Sequence, residues 1–372
     1  MTEIVAVLRG IAAPVSRWDG ASAAGLSTLE ALAHRSNLLG ADRSLANQGG
    51  GNTSTKERIA DHTGRMTDVL WVKGSGTDLA TITPSGFAGI RLDEVVPLRH
   101  RKSMSDAEMV DYLLRSGIRT DQPRPSIETL LHAFIAAPHV DHTHPDAVIA
   151  LTSTPRGRSL AEGAFGDEAV WLDYQRPGFD MSRRIAELLE QNPSARAVLL
   201  EKHGLVTWGE TGEESYETTI EFVARAARAI DEEAGGQFGL GGQGVAALGE
   251  GGEERLLLSR ALPVLRGALM ADGQGAILEL DRSPEAVAFA SARRTAEVSQ
   301  VGAPCPDHLI NTKHKPLLVP AEAAVDGATL AEALRRGVAE YAEWYRGYYE
   351  ANLDDETRPF AIDPAGPRPT PT

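Results

Sequence analysis

Three histidines have the residue type and spacing of metal ligands. His142 and His144 stand two residues apart in the segment HVDHTHPDAVIALTS, which we interpret as a strand. Their side chains then leave the same face with Cα atoms about 6.6 Å apart, and two imidazoles at that separation can converge on one ion. His203 follows the apolar run Val-Leu-Leu and precedes a glycine, where a side chain projects from a sheet edge into a cleft. His203 is therefore the best candidate for a third ligand.

Each of these histidines also has an ordinary structural interpretation. An HxH pair is often two polar residues on a solvated strand face, and a histidine before glycine often belongs to a turn. We expect the strand to continue through residues 147–150 into the core, where an imidazole costs free energy unless it is hydrogen-bonded or bound to metal. The metal interpretation therefore requires that the three histidines meet in the fold.

A carboxylate suited to acid–base chemistry is Glu128. Two prolines precede Ser126, and apolar residues follow at 127, 130, 131, 134 and 135, which predicts a helix capped by Ser126 with Glu128 in its first turn. Glu128 is either an exposed cap carboxylate or, if the histidine strand packs beside it, an acid/base next to a metal. His132 lies on the same helical face and is a fourth ligand, an orienting residue or, as we expect, a packed or partly exposed histidine.

Two glycine-rich turns and one helix N-terminus have the composition of an anion site. Glycines at 49–51 precede Asn52, and Gly74, Ser75 and Gly76 follow a predicted strand. Glycine lets backbone N–H groups approach an anion, and the helix that begins at Ser126 adds oriented donors. Each element alone is an ordinary turn or cap, but together they suggest a phosphate pocket. Lys73 could add charge, although we expect a lone lysine at a strand end to be solvated.

The elements that position these residues follow from periodicity and turn signals. We predict helices at residues 28–39, 211–234, 254–269, 284–292 and 328–352, and strands at 69–72, around the turn at 203–204, and at 276–280. The glycine-dense stretch 236–252 is typical of a linker. Gly239, Gly241 and Gly244 match a dinucleotide-binding pattern by chance, because no strand precedes them.

The length, charge and cysteine content of the chain limit which classes of protein it can belong to. A chain of 372 residues with 42% hydrophobic content favours two domains. A formal net charge of -15 disfavours polyanionic partners such as nucleic acid or an anionic membrane. The sequence has neither a membrane-span run nor a leader pattern, so we expect a cytoplasmic protein. A single cysteine, Cys305, leaves histidines and carboxylates to bind any metal.

Five motifs in one order give a resemblance to a known family. GNTS, KGSGT, PSIETLLH, HVDHTHPDAV and VLLEKHGLVTWG resemble the class II aldolase/adducin family over residues 25–235. The region after the linker, with VGAPCPDHLINTKHKPL and EYAEWYRGYYE, resembles the aldolase half of bacterial bifunctional rhamnulose-1-phosphate aldolase/alcohol dehydrogenases. The chain ends before a dehydrogenase segment, so we expect no dehydrogenase activity. Ile127 replaces a second serine of the fuculose-phosphate branch, and the GN loop is one residue shorter.

The resemblance implies a fold, an activity and a set of site residues. The fold is a three-layer α/β/α sandwich around a mainly antiparallel sheet, with a smaller C-terminal α/β unit. The activity is zinc-dependent retro-aldol cleavage of a ketose 1-phosphate similar to rhamnulose 1-phosphate, which gives dihydroxyacetone phosphate and lactaldehyde. The implied site residues are the zinc ligands His142, His144 and His203, the acid/base Glu128, and the phosphate-binding Gly51, Asn52, Ser75, Gly76 and Ser126.

The resemblance also sets expectations for organisation and leaves alternatives open. It implies an aldolase domain at 20–235, a C-terminal region at 253–355, a flexible tail at 356–372 and a homo-oligomer, commonly a tetramer. Another sugar-phosphate aldolase, a 4-epimerase, a dehydratase and a non-catalytic adducin-like interaction module remain alternatives. We expect packing roles for the tyrosines at 345, 348 and 349, which are candidates for the aldehyde-end acid/base, and a packed turn for Cys305, Asp307 and His308.

Overall fold

The computed structural model describes residues 11–235, 239–245, 251–270 and 275–353, without the side chains of residues 310 and 311. Residues 11–235 form one compact unit together with Pro304–Asp307, and the other described residues form a second. The predicted tail at 356–372 lies outside the described residues, as do residues 236–238 and 246–250 of the predicted linker.

A seven-stranded mixed sheet forms the centre of the first unit. Its strands are β1 (Asn52–Ala60), β2 (Met66–Lys73), β3 (Phe87–Arg91), β4 (His139–Thr143), β5 (Ala169–Leu172), β6 (Ala197–Leu200) and β7 (Gly204–Gly209). The order across the sheet is β3-β2-β1-β4-β7-β6-β5. All neighbours are antiparallel except β5 and β6. The expectation of a mainly antiparallel sheet is confirmed.

Helices cover both faces of this sheet. They are α1 (Gly20–Ala23), α2 (Thr28–Gly40), α3 (Leu92–Val95), α4 (Asp106–Arg115), α5 (Thr129–Phe134), α6 (Asp146–Thr152), α7 (Gly157–Phe165), α8 (Phe179–Gln191) and α9 (Gly212–Ala234). Strand β6 shows the layering, because Leu199 packs with α6, α7 and α9 while the next residue, Leu200, packs with α5 and α8. The expected three-layer α/β/α sandwich follows from this alternation.

The chain turns into a helix where we predicted a continuing strand. Strand β4 ends at Thr143, and residues 147–150 belong to α6. Pro145 has no N–H for a sheet ladder, and Asp146 suits the positive end of a helix. A short buried apolar run fits a helix as well as a strand, so periodicity alone could not separate the two. His144 consequently lies just beyond the strand rather than on it.

The remaining described helices are α10 (Gly252–Leu269), α11 (Pro284–Ser291), α12 (Thr295–Val298), α13 (Pro306–Asn311) and α14 (Gly327–Ala351). Tyr341 and Tyr345 of α14 pack against Leu265 of α10 in one apolar cluster, with Tyr348 at its edge.

The prediction of a strand at 276–280 is wrong. These residues have no partner strand among the described residues, and Ile277 is 98% exposed. No helix in the described part of the chain has the length and apolar character needed to cross a membrane.

Candidate functional site

Strand β4 carries His142 in the middle of the sheet. His142 pairs with Asn52 of β1 on one side and Val206 of β7 on the other. His203 lies in the tight turn between β6 and β7, next to β4. Gly204 allows this approach, because a Cβ there would lie 2.4 Å from the carbonyl oxygen of Thr143. The sheet order thus brings residues about 60 positions apart to one point.

The three histidines form one buried cluster. One ligand atom from each of His142, His144 and His203 lies within 4.8 Å of the others. The ring centroids are 4.7 Å (142 to 144), 4.9 Å (142 to 203) and 5.0 Å (144 to 203) apart. All three are at most 4% exposed, so they meet inside the fold as the metal interpretation requires.

Hydrogen bonds set which ring nitrogen faces the centre of this cluster. His142 Nδ1 donates to the carbonyl oxygen of Leu205 at 3.0 Å, and His144 Nδ1 donates to Oδ2 of Asp307 at 2.6 Å. The Nε2 atoms of His142 and His144 therefore both present lone pairs, and they lie 3.0 Å apart. Two lone pairs at that distance repel unless a proton or a metal ion lies between them. The donor set is thus the kind that fits a metal ion.

Glu128 completes the cluster. Its Oε1 lies 3.3 Å from Nε2 of His142 and 3.2 Å from Nε2 of His203. Neither this oxygen nor Nδ1 of His203 has a hydrogen-bond partner of good geometry among the described residues. Burial alone would raise the pKa of Glu128, but His142 and His203 hold it well below the usual value. Burial lowers the pKa of His203 to about 4. An ionised carboxylate therefore faces neutral His203 and, although burial opposes it, raises the pKa of His142.

The other oxygen of Glu128 is held by a buried chain of hydrogen bonds. Asn52 Nδ2 donates to Glu128 Oε2 at 2.7 Å and lies 3.3 Å from Oγ of Ser126. The Asn52 carbonyl accepts from Nε2 of His132, whose Nδ1 accepts from Oγ of Ser54 at 2.8 Å. His132 is fully buried and packed. Since both of its nitrogens are occupied, it is placed to orient Asn52 rather than to bind an ion.

The helix around Glu128 begins two residues later than predicted. Glu128 itself is the N-cap of α5, so it does not lie in the first turn, and Ser126 is not the N-cap. An isolated bridge between Gly74 and Pro125 keeps the chain extended before this point. Ser126 Oγ instead accepts the backbone N–H of Glu128 at 3.2 Å. This local turn aims the carboxylate at the histidines.

Comparison with known proteins decides the family. The model described as Class II Aldolase and Adducin N-terminal domain matches residues 30–230. The chain belongs to the class II aldolase and adducin family. A model described as Aldolase class II, second domain, matches residues 257–368.

The chain is also similar to individual proteins. It is 43% identical over 349 residues to the uncharacterized oxidoreductase YuxG of Bacillus subtilis (strain 168), covering 93% of this chain and 50% of that protein. It thus spans about half the length of the curated relative. The N-terminal class II aldolase domain of a conserved Thermoplasma acidophilum protein is 37% identical, with TM-score 0.55, and covers 59% of this chain and all of that chain. L-fuculose-1-phosphate aldolase of Thermus thermophilus is 17% identical, with TM-score 0.37, and covers 56% of this chain and 94% of that chain.

The glycine turns of this class II aldolase chain lie beside the carboxylate segment. Gly51 has a φ of 68°, and a Cβ there would lie 2.7 Å from the carbonyl oxygen of His142. The backbone N–H of Ser75 donates to the carbonyl oxygen of Arg124 at 2.8 Å, and Ser75 is exposed to solvent. Gly76, with a φ of 80°, has open space where a side chain would stand. These turns and Ser126 thus border one region, with exposed groups at its rim.

Two residues near the cluster differ from the expectations. Lys73 is not solvated but 4% exposed, and its Nζ donates to the carbonyl oxygen of Gly49 at 3.3 Å. Burial lowers its pKa, opposed by the charges of Glu128, Asp78 and Asp307. Asp307, expected in a packed turn, reaches His144 instead. Although burial opposes ionisation, His144 lowers the pKa of Asp307. A single sequence carries no signal that would pair residues 163 positions apart.

Proposed function

We propose that this chain is a zinc-dependent aldolase that cleaves a ketose 1-phosphate similar to rhamnulose 1-phosphate into dihydroxyacetone phosphate and lactaldehyde. The observation that carries the proposal is the convergence of three buried imidazoles on one point next to the carboxylate of Glu128. The family supports this class of chemistry, and the resemblance of the region after the linker to rhamnulose-1-phosphate aldolase/alcohol dehydrogenases supports the substrate.

His142, His144 and His203 would hold the metal. Three neutral imidazole donors with room for substrate oxygen are the donor set of catalytic zinc sites. When bound, the ion would act as a Lewis acid on the carbonyl oxygen of the substrate. The site fits a cation because two imidazole nitrogens face each other at 3.0 Å and Oε1 of Glu128 has no hydrogen-bond partner of good geometry among the described residues.

Glu128 would move the proton at the reacting carbon. In the condensation direction its ionised carboxylate removes a proton from the hydroxyl-bearing carbon beside the carbonyl of dihydroxyacetone phosphate. In the cleavage direction a base at the aldehyde end takes the proton of the C4 hydroxyl, the C3–C4 bond breaks with its electron pair left on C3, and protonated Glu128 gives its proton to C3. The lowered pKa of Glu128 favours the ionised form that begins the condensation. Asn52 would hold the carboxylate in place through Oε2.

The substrate phosphate would bind near the glycine turns. The groups proposed for it are the phosphate-binding residues implied by the resemblance: Gly51, Asn52, Ser75, Gly76 and Ser126. The amide of Asn52 already serves Glu128 and Ser126, so its contribution to phosphate would compete with those contacts. Lys73 adds a buried cation whose nearest described partner is one carbonyl oxygen. A cation at that depth would favour a dianionic substrate.

Two other functions, an oxidoreductase activity and a non-catalytic interaction module, are less well supported than the aldolase. The oxidoreductase name belongs to a protein twice as long, so we do not transfer that activity to this chain. A non-catalytic module would have no physical need to keep three imidazoles and a carboxylate together in the core. We further propose a homo-oligomer, because the family resemblance implies one and a neighbouring subunit could supply the acid/base at the aldehyde end.

The decisive experiment measures metal and product on the same samples. Metal content by mass spectrometry and dihydroxyacetone phosphate release from L-rhamnulose 1-phosphate are compared for wild type, His142→Ala and the exposed control His62→Ala. We expect about one zinc per chain in wild type and the control, and loss of both zinc and product in His142→Ala. Metal without product would redirect the substrate to another sugar phosphate. Absence of metal from carefully purified wild type would refute the mechanism and favour the interaction module.

A further inference from the structure

We propose that Asp307 is a positioning residue of the three-histidine site, which fixes the tautomer and orientation of the His144 ring. The role in metal binding rests on the proposed function, whereas the role in setting the tautomer does not. Asp307 lies in the region that matches the second-domain model, yet the segment Pro304–Asp307 packs with the first compact unit.

The contact itself is short and buried. Oδ2 of Asp307 lies 2.6 Å from Nδ1 of His144, with 6% and 4% of the two residues exposed. A carboxylate accepts but cannot donate, so the proton of the imidazole must lie on Nδ1. Nε2 of His144 then presents its lone pair toward Nε2 of His142, 3.0 Å away. Asp307 therefore determines which nitrogen of His144 is available to a metal.

His144 needs such a partner more than His142 does. His142 lies within β4, and the backbone carbonyl of Leu205 on the adjacent strand accepts from its Nδ1. His144 lies beyond the end of that strand, where no ladder partner is at hand among the described strands. Without a side-chain acceptor no hydrogen bond to Nδ1 would fix which of its two nitrogens carries the proton. Asp307 thus accepts the hydrogen bond from Nδ1 of His144, as the carbonyl of Leu205 accepts it from Nδ1 of His142.

The glycine loop makes room for this carboxylate. A Cβ on Gly50 would lie 2.2 Å from Oδ2 and 2.7 Å from Cγ of Asp307. The backbone of Gly50 does not have a positive φ, so space rather than conformation explains glycine at this position. A methyl group at residue 50 would therefore displace the carboxylate while leaving its charge in the protein. This gives a second way to break the contact.

A purely structural role for Asp307 predicts a different pattern. Asp307 also lies in the first turn of α13, where a carboxylate stabilises a helix N-terminus. If that were its whole function, its removal would lower the melting temperature and leave the His144 ring and the metal affinity unchanged. Measurements on the ring and on the metal therefore separate the two roles.

The test uses full-length protein and two readouts. Long-range ¹H–¹⁵N spectra of metal-free protein report the tautomer of His144, and competition with a chromophoric chelator reports zinc affinity. We expect an Nδ1-protonated His144 in wild type and a mixture of tautomers in Asp307→Ala, with zinc affinity about 10- to 100-fold lower. Asp307→Asn keeps an acceptor oxygen and should recover most of both, while Gly50→Ala should resemble Asp307→Ala. Asp180→Asn and Gly163→Ala, at an exposed carboxylate and an uncrowded helical glycine, are the matched controls.

The outcomes decide this proposal separately from the proposed function. A wild-type tautomer and zinc affinity in folded Asp307→Ala would overturn it. If Asp307→Ala does not fold, wild-type behaviour of Gly50→Ala would overturn it instead. If wild type binds no zinc, the proposed function fails, and the spectrum of metal-free protein still decides whether Asp307 sets the tautomer of His144.

Discussion

Asn52 donates a 2.7 Å hydrogen bond to the Oε2 atom of Glu128, in a pair that is almost fully buried. The two residues come from different elements, since Asn52 begins β1 and Glu128 caps α5. The other oxygen of Glu128 faces His142 and His203, so the bond from Asn52 holds the carboxylate in its orientation toward these histidines. Asn52 thus has a task besides the phosphate contact that the resemblance implies.

Replacing Asn52 should lower turnover more than it lowers substrate binding. Asn52→Ala leaves Oε2 of Glu128 buried and unpaired, which costs about 1–3 kcal/mol, and we expect kcat to fall by about 10- to 100-fold. The measurement is the dependence of dihydroxyacetone phosphate release on substrate concentration, with zinc content as a control. A rise in KM with unchanged kcat would show that Asn52 serves the phosphate alone.

His132 should prove dispensable for metal and important for stability. Its two nitrogens bond to Asn52 and Ser54, so we expect His132→Phe to keep the zinc content of wild type. The lost donor leaves the carbonyl of Asn52 unpaired in the core, and the free energy of unfolding should fall by about 1–3 kcal/mol. Mass spectrometry and denaturant unfolding measure the two effects. Loss of zinc in a folded variant would instead make His132 a fourth ligand.

The periodic elements of this fold were readable from the sequence. The helix predicted at 28–39 is Thr28–Gly40, and the one predicted at 211–234 is Gly212–Ala234 with Thr211 as its N-cap. Long amphipathic segments with a capping residue carry both a period and a start signal. Residues 147–150 carried neither, and their assignment to a strand was wrong because a short buried run fits both structures.

In the candidate site, too, some residues could be predicted from the sequence and others could not. Histidine and glutamate indicate their chemistry by residue type, so the four residues of the buried cluster could be proposed from the sequence, and the structure brings them together. The contributions of Asp307 and Lys73 depend on tertiary packing, since each acts through a neighbour distant in sequence. The expected solvated Lys73 is instead buried, and local spacing cannot predict such burial.

The stability of the protein should fall in mild acid, and His139 is one of the groups responsible. Burial, with the charges of Arg35 and Lys56, lowers the pKa of His139 to about 4, and its Nδ1 accepts from Nη1 of Arg35 at 2.9 Å. The unfolded chain binds this proton near pH 6.5 and the folded chain near pH 4, so the stabilisation present above pH 6.5 is lost as pH falls toward 4.

The comparison of wild type with His139→Asn isolates this effect, since asparagine offers an acceptor but does not titrate in this range. Melting temperatures measured between about pH 7 and pH 4.5 should fall more steeply for wild type. The many carboxylates titrate equally in both proteins and cancel in the difference. Parallel curves would mean that His139 keeps its proton equilibrium unchanged on folding.

Replacement of Gly204 should disturb the three-histidine cluster even though Gly204 is not a proposed ligand. A Cβ there would lie 2.4 Å from the carbonyl oxygen of Thr143 and 2.9 Å from Cδ2 of His144, so an alanine must push the turn that carries His203 away from β4. Overpacking of this kind costs about 1–3 kcal/mol, and here the displacement separates two proposed metal ligands. We expect Gly204→Ala to lose zinc and activity together while remaining folded, with Gly163→Ala as the control at an uncrowded glycine. Full zinc content in Gly204→Ala would show that the β6–β7 turn can move without disturbing the three-histidine cluster, and would weaken the case that its geometry is fixed by close packing.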